Sequence, residues 1–170
     1  MSNKLLLTSF QTWLPHQKFN SSDQLLEIVQ TQADSNLRFT RKLPVDINLA
    51  TAQVIEAIER FSPDGIICCG MAEYRSQLTV ESNAQCNRDY TFTKVNLEKL
   101  LAYLNHTQIS HNAGKFVCEG LYYQILKYIE MKKLGIPCLF VHIPLLKADN
   151  LNIIKQDFTA IINFMRAVKV

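Results

Sequence analysis

Short apolar runs alternate with amphipathic stretches along nearly the whole chain. Leu5-Leu6-Leu7 lies inside a strand-like run from Lys4 to Ser9. Ser21 or Ser22 can cap a helix reaching to about Ala33, with Leu25, Leu26, Ile28 and Val29 as its stripe. Leu37, Phe39, Arg41 and Leu43 alternate with polar neighbours, which predicts a second strand. Asn48 can cap a helix to Phe61 that carries Ala50, Val54, Ile55, Ile58 and Phe61 on one side. Pro63-Asp64-Gly65 reads as a turn, and Ile66 to Cys69 as a short, wholly apolar strand ending at Gly70.

The second half continues the pattern. Gln77 to Gln85 alternates Leu78, Val80 and Ser82 against Thr79, Glu81 and Asn83, which predicts a strand, the likeliest antiparallel or irregular one. Asn87 to Thr93 reads as a polar loop, and Asn96 as the cap of a helix through Leu104. A brief strand over Gln108–His111, the turn Asn112-Ala113-Gly114 and a long helix from about Val117 to Lys133 follow. Gly135-Ile136-Pro137 stops that helix. Cys138 to Ile143 is a strand ended by Pro144, and the last helix covers about Leu151 to Ala167. Repeated β-α alternation predicts a mainly parallel sheet with helices on both faces.

Composition narrows the class. The 170 residues suit one domain with one core, spanning the whole chain. Hydrophobic residues at 48% against charged residues at 19% predict a packed interior rather than disorder. The formal charge of +3 is spread out, so no nucleic-acid partner is expected. No apolar run is long enough to cross a membrane, and the N-terminus shows no secretory pattern. Five cysteines, an odd count, argue against a disulfide framework and for a cytoplasmic location. There is no Cys-x-x-Cys or His-Glu-x-x-His, so neither a metal site nor a cofactor is expected.

Candidate chemistry centres on Cys118 and His142. Taken as a crossover, the strand over Gln108–His111 ends where the long helix begins. About seventeen helical residues descend roughly 25 Å. About six strand residues climb back roughly 20 Å. That path returns His142 to the edge from which Cys118 started, where open α/β sheets bind ligands. A thiol in the first turn of a helix is expected to ionise more readily, which makes Cys118 the most reactive thiol of the five. Glu81, a lone acid in a neutral strand, is the candidate to orient the imidazole. Each residue also has a plainer reading. Cys68, Cys69 and Cys138 suit a buried core role, Cys86 an incidental one, His142 a strand end and Glu81 an exposed edge.

Five segments then occur in one order: Leu5-Leu6-Leu7-Thr8-Ser9-Phe10, Pro63 to Gly70, Arg75 to Glu81, Asn112 to Cys118, and Phe140-Val141-His142-Ile143-Pro144. As a set they resemble pyroglutamyl peptidase I, the C15 family of cysteine peptidases. The resemblance implies a three-layer α/β/α sandwich with a mostly parallel twisted sheet. It implies removal of an N-terminal pyroglutamyl or similar residue through a Cys118-His142-Glu81 triad. It places Phe10, Trp13, Asn20, Met71, Phe116 and Val117 on the substrate side and gives Arg75 a supporting role. A peptide or small amide is the implied partner, and a homo-oligomer is implied by family habit. The departures fall on the pocket. The loop reads Ser9-Phe10-Gln11-Thr12-Trp13-Leu14-Pro15, Met71 replaces a Gln, Glu73 and Tyr74 replace two Gly, Glu119 replaces an Asn, and the segment after Glu81 is shortened. A non-catalytic binding protein with a vestigial triad is the alternative that these departures support. A nucleoside-phosphorylase-like enzyme shares the architecture but would call for a Gly-rich phosphate loop that the chain lacks.

Overall fold

The structure, a computed structural model, describes residues 3–168. The order of elements is β1 (Leu5–Phe10), α1 (Ser21–Gln30), β2 (Leu37–Leu43), α2 (Ile47–Phe61), β3 (Gly65–Met71), β4 (Leu78–Glu81) and β5 (Asn83–Cys86). Then come β6 (Asp89–Phe92), α3 (Leu97–Leu101), β7 (Thr107–Ser110), α4 (Val117–Met131), β8 (Cys138–Ile143) and α5 (Leu151–Ala167). Six strands form one sheet in the order β2-β1-β3-β8-β4-β7, and β5 pairs with β6 in a separate hairpin.

The wholly apolar strands are explained by cover on both faces. Leu5, Leu7, Ile67, Cys69, Leu139 and Val141 enter one core with α1, α3 and α5. Leu6, Ile66, Cys68, Cys138 and Phe140 enter the other with α2 and α4. The result is a three-layer α/β/α sandwich. Strands β2, β1, β3 and β8 are mutually parallel, whereas β4 pairs antiparallel with β8 and β7 follows β4.

Several expectations shift. Asn20, not Ser21 or Ser22, caps α1, its side chain accepting from the Ser22 N–H. Asp46, not Asn48, caps α2 by accepting from the Leu49 N–H. Asn87–Thr93 contains β6 rather than a plain loop. The run from Gln77 to Gln85 breaks at Ser82 into β4 and β5. The helix capped by Asn96 spans only Leu97–Leu101. β7 runs opposite to β8, so the connection to α4 is not a parallel crossover. Residues 111–116 carry the chain from the end of β7 to the start of α4.

Candidate active site

Period-two alternation decides what faces α4. Leu78 and Val80 of β4 enter the α1/α5 core, which turns Thr79 and Glu81 to the opposite face. On β8, Phe140 packs into the α2/α4 core, and His142 lies two residues further along the same face. Thr79 pairs with His142 and Glu81 with Phe140, so Glu81 is the diagonal neighbour of His142. The antiparallel course of β4 therefore brings the acid to the imidazole. His142 Nδ1 donates to Glu81 Oε1 across 2.7 Å, with Glu81 fully buried and His142 nearly so.

Glu81 is held from several sides. Arg75 donates to Glu81 Oε1 at 2.6 Å, and the same nitrogen bonds the Thr79 hydroxyl. The other Arg75 nitrogen reaches the Asn112 carbonyl at 3.0 Å and the Ser110 hydroxyl at 3.4 Å. Tyr122, fully buried on α4, donates its hydroxyl to the Glu81 carbonyl at 3.1 Å. Glu81 Oε2 is buried and lacks a hydrogen-bond partner. Burial opposes ionisation of Glu81, but its bond to His142, with Ser110 and Arg75 adding to it, holds the carboxyl below its ordinary range. Burial lowers the His142 pKa, and the positive Arg75 lowers it further, while Glu81 acts in the opposite sense. A neutral imidazole on an ionised carboxylate is the resulting state near neutral pH.

Cys118 stands in the first turn of α4, after the N-cap residue Phe116, which makes no side-chain capping bond. The N-cap side chain thus leaves the first-turn N–H groups uncovered. A Cβ built on Gly70 would lie 2.6 Å from Cys118 Sγ and 2.9 Å from the Phe140 ring. The sulfur therefore fills the space that the missing Gly70 side chain leaves. Gly70 is the register partner of His142, so the sulfur rests one strand away from the imidazole. No hydrogen bond joins Cys118 to His142 among the described residues. The thiol departs from the sequence expectation. Burial, with the negative Glu81 and the neighbouring Cys68, pushes its pKa up to about 12, against the helix-start effect.

The remaining expected residues separate into two groups. Phe10 and Val117 are buried in the α2/α4 core. Met71 is buried at the end of β3, its sulfur accepting from the Ser21 N–H at 3.4 Å. Asn20 donates to the Gln11 carbonyl and accepts from Ser22, so its amide is occupied within the chain. Trp13 and Phe116 stay partly open and face one another, ring centroids 5.6 Å apart. Gly70, Tyr122, Thr79 and Ser110 are not among the site residues expected from the sequence. Only Gly70 left a signal there, as the end of an apolar strand. Among the described residues no group of His, Cys, Asp and Glu could hold a metal ion, and no helix is long and apolar enough to cross a membrane.

The site thus places a thiol at a helix start, one strand from a carboxylate-bound imidazole, on an α/β sandwich. The pyroglutamyl peptidase family model, Peptidase C15, matches residues 90–168, the stretch that contains Cys118 and His142. The pyrrolidone-carboxylate peptidase of Oceanobacillus iheyensis is 26% identical, covering 83% of each chain. That of Thermoanaerobacter sp. is 27% identical over 88% of this chain and 86% of its own. The crystal structure of pyroglutamyl peptidase I from Bacillus amyloliquefaciens superposes with a TM-score of 0.85 at 22% identity, covering 99% of this chain and 97% of its own. In sequence and in fold the chain is thus similar to the pyroglutamyl peptidases, the C15 cysteine peptidases.

Proposed function

We propose that this protein is a single-domain cysteine peptidase that removes an N-terminal pyroglutamyl or closely similar residue from peptides, through Cys118, His142 and Glu81. The observation that carries the reading is the buried 2.7 Å bond between His142 and Glu81 on the face where Cys118 Sγ lies. With Nδ1 committed to Glu81, Nε2 is the basic nitrogen of the ring. In the reaction Nε2 takes the thiol proton as Sγ attacks the substrate carbonyl. The imidazolium so formed is stabilised by Glu81, which Arg75 keeps in place. Uncapped N–H groups at the start of α4 receive the developing oxyanion. The imidazolium then protonates the leaving amine, and water, deprotonated by the same nitrogen, hydrolyses the thioester. Because the resting thiol is neutral, proton transfer accompanies attack. No preformed thiolate is required.

The relatives' printed names support a pyrrolidone-carboxylate substrate, and the partly open Trp13–Phe116 pair supplies an apolar wall suited to a lactam ring. The test compares pyroglutamyl- and prolyl-arylamide hydrolysis by wild type, Cys118→Ala, His142→Ala and Glu81→Gln. Wild type is expected to cleave the pyroglutamyl substrate. The first two variants lose on the order of 10³-fold or more, and Glu81→Gln keeps a measurable fraction. Hydrolysis by Cys118→Ala at the wild-type rate would overturn the mechanism.

A further inference from the structure

The loop between β1 and α1 has no regular structure, yet one side chain ties it together. Gln17 Oε1 accepts from the Trp13 N–H at 3.1 Å and from the Leu14 N–H at 3.2 Å, and the Gln17 N–H closes a turn onto the Leu14 carbonyl at 3.0 Å. The other end of the same amide donates to Glu73 Oε1. His16 Nε2 lies 3.2 Å from Glu73 Oε2. Glu73 stands just past the end of β3 and is mostly shielded, its side chain 17% exposed. The hydrogen bonds to Gln17 and His16 hold its carboxyl below the usual range, so it is ionised and acceptor-only near neutral pH. Two residues further on, Arg75 grips Glu81. The loop that carries Trp13 is thus bonded to the segment that carries the anchor of the buried acid.

We infer that Gln17 and Glu73 are positioning residues that fix the substrate slot by holding Trp13 against Phe116. This rests on the reading given under Proposed function. Phe116 is the N-cap residue of α4, two positions before Cys118, so the Trp13–Phe116 pair stands at the end of the helix that carries the sulfur. Gln17 reaches the backbone of Trp13 directly, and Glu73 supplies the fixed point outside the loop. Without the Glu73 carboxylate, Gln17 still closes the turn, but the turn is no longer attached to the sheet. A loosened wall weakens ground-state binding more than it changes the reacting groups, so its signature is in KM rather than kcat. An interaction of this charge-assisted kind is worth roughly a factor of ten in binding.

Trp13 is the single tryptophan of the chain, so its emission reports the clamp without reference to turnover. Glu73→Ala and Gln17→Ala are expected to increase acrylamide quenching of Trp13 and to raise KM for a pyroglutamyl-arylamide about tenfold, with kcat within about twofold of wild type. Glu73→Gln retains a neutral acceptor for Gln17 and is expected to bring quenching and KM most of the way back to wild type. Trp13 emission unchanged in Glu73→Ala would overturn the clamp. Altered emission with unchanged KM would overturn its role in the slot. A moved pH profile would show that Glu73 acts through Arg75 and Glu81 instead, which also overturns it. Silence of the wild type toward the pyroglutamyl substrate would remove the underlying reading, whereas the quenching comparison would still decide whether the clamp exists.

Discussion

Glu81 and His142 are both buried, and both are displaced downward in pKa. In the proposed mechanism the base must be neutral to accept the thiol proton, so kcat/KM should be flat at neutral pH. It should fall on an acid limb centred below the ordinary histidine value of 6.5. Glu81 is the group that raises the His142 pKa. Glu81→Gln should therefore lower the plateau and move the acid limb to still lower pH, measurable as a pH profile of pyroglutamyl-arylamide hydrolysis. An acid limb that moved upward would contradict this assignment. Cys118 carries a second residue-scale prediction, which reverses the sequence expectation. It is 7% exposed with a raised pKa, while Cys86 is exposed at the end of β5. Sub-stoichiometric iodoacetamide near neutral pH should label Cys86 first by peptide mapping. A pyroglutamyl-directed chloromethyl ketone should label Cys118 first. The sequence located both thiols, but it could not show how far the sheet, the Phe140 ring and α4 desolvate one of them.

Elements matter here through their direction and closeness. Gly70 lets α4 bring Cys118 Sγ onto the sheet, where a methyl group would collide with the sulfur and with Phe140. Gly70→Ala should lower turnover by on the order of 10²-fold or more, because about an ångström of misplacement has that effect. Melting temperature should change far less, since the collision is with side chains at a strand end. Loss of both in proportion would indicate a folding defect instead. Strands β1, β2, β3 and β8 and helices α2, α4 and α5 were legible because each buries one face or both, and burial writes a period of 3.6 or an unbroken apolar run. β6 was not, because three of its four residues, Asp89, Tyr90 and Phe92, are exposed. The antiparallel run expected within Gln77–Gln85 holds for β4, but the direction of β7 was not legible: periodicity tells which face a residue takes and carries no sign for the run of the strand. Those directions matter most, since the antiparallel pairing of β4 with β8 is what sets Glu81 diagonal to His142.

Across the whole molecule, one buried acid adds a polar tie between α5, whose apolar face lies in the core, and the segment leading into β7. Asp157 accepts from the Asn105 N–H at 2.9 Å, the His106 N–H at 2.7 Å and the Thr107 hydroxyl at 2.7 Å. These bonds outweigh the cost of its burial and lower its pKa. A depressed folded-state pKa contributes stability above the unfolded value that is lost as pH falls through the folded one. Asp157, Glu81 and the buried His142 all have this sign, so the fold should weaken on acidification, first below about 6.5 through His142 and then through the carboxylates. Asp157→Ala should cost about 2–4 kcal/mol in urea unfolding at neutral pH and reduce the further loss on acidification. A cost below about 0.5 kcal/mol would show that α5 is held by its apolar face alone. The chain's apolar patterning settled the layered architecture, because a helix stripe or a strand face must be buried wherever it occurs. Its ordered motifs also named Cys118, His142 and Glu81. The tertiary structure alone decided the direction of β7, the burial of the thiol, the grip of Arg75 on Glu81 and the bonds from Gln17 to Glu73. Each of these depends on distances between residues far apart in the chain, and local patterning carries no information about such distances.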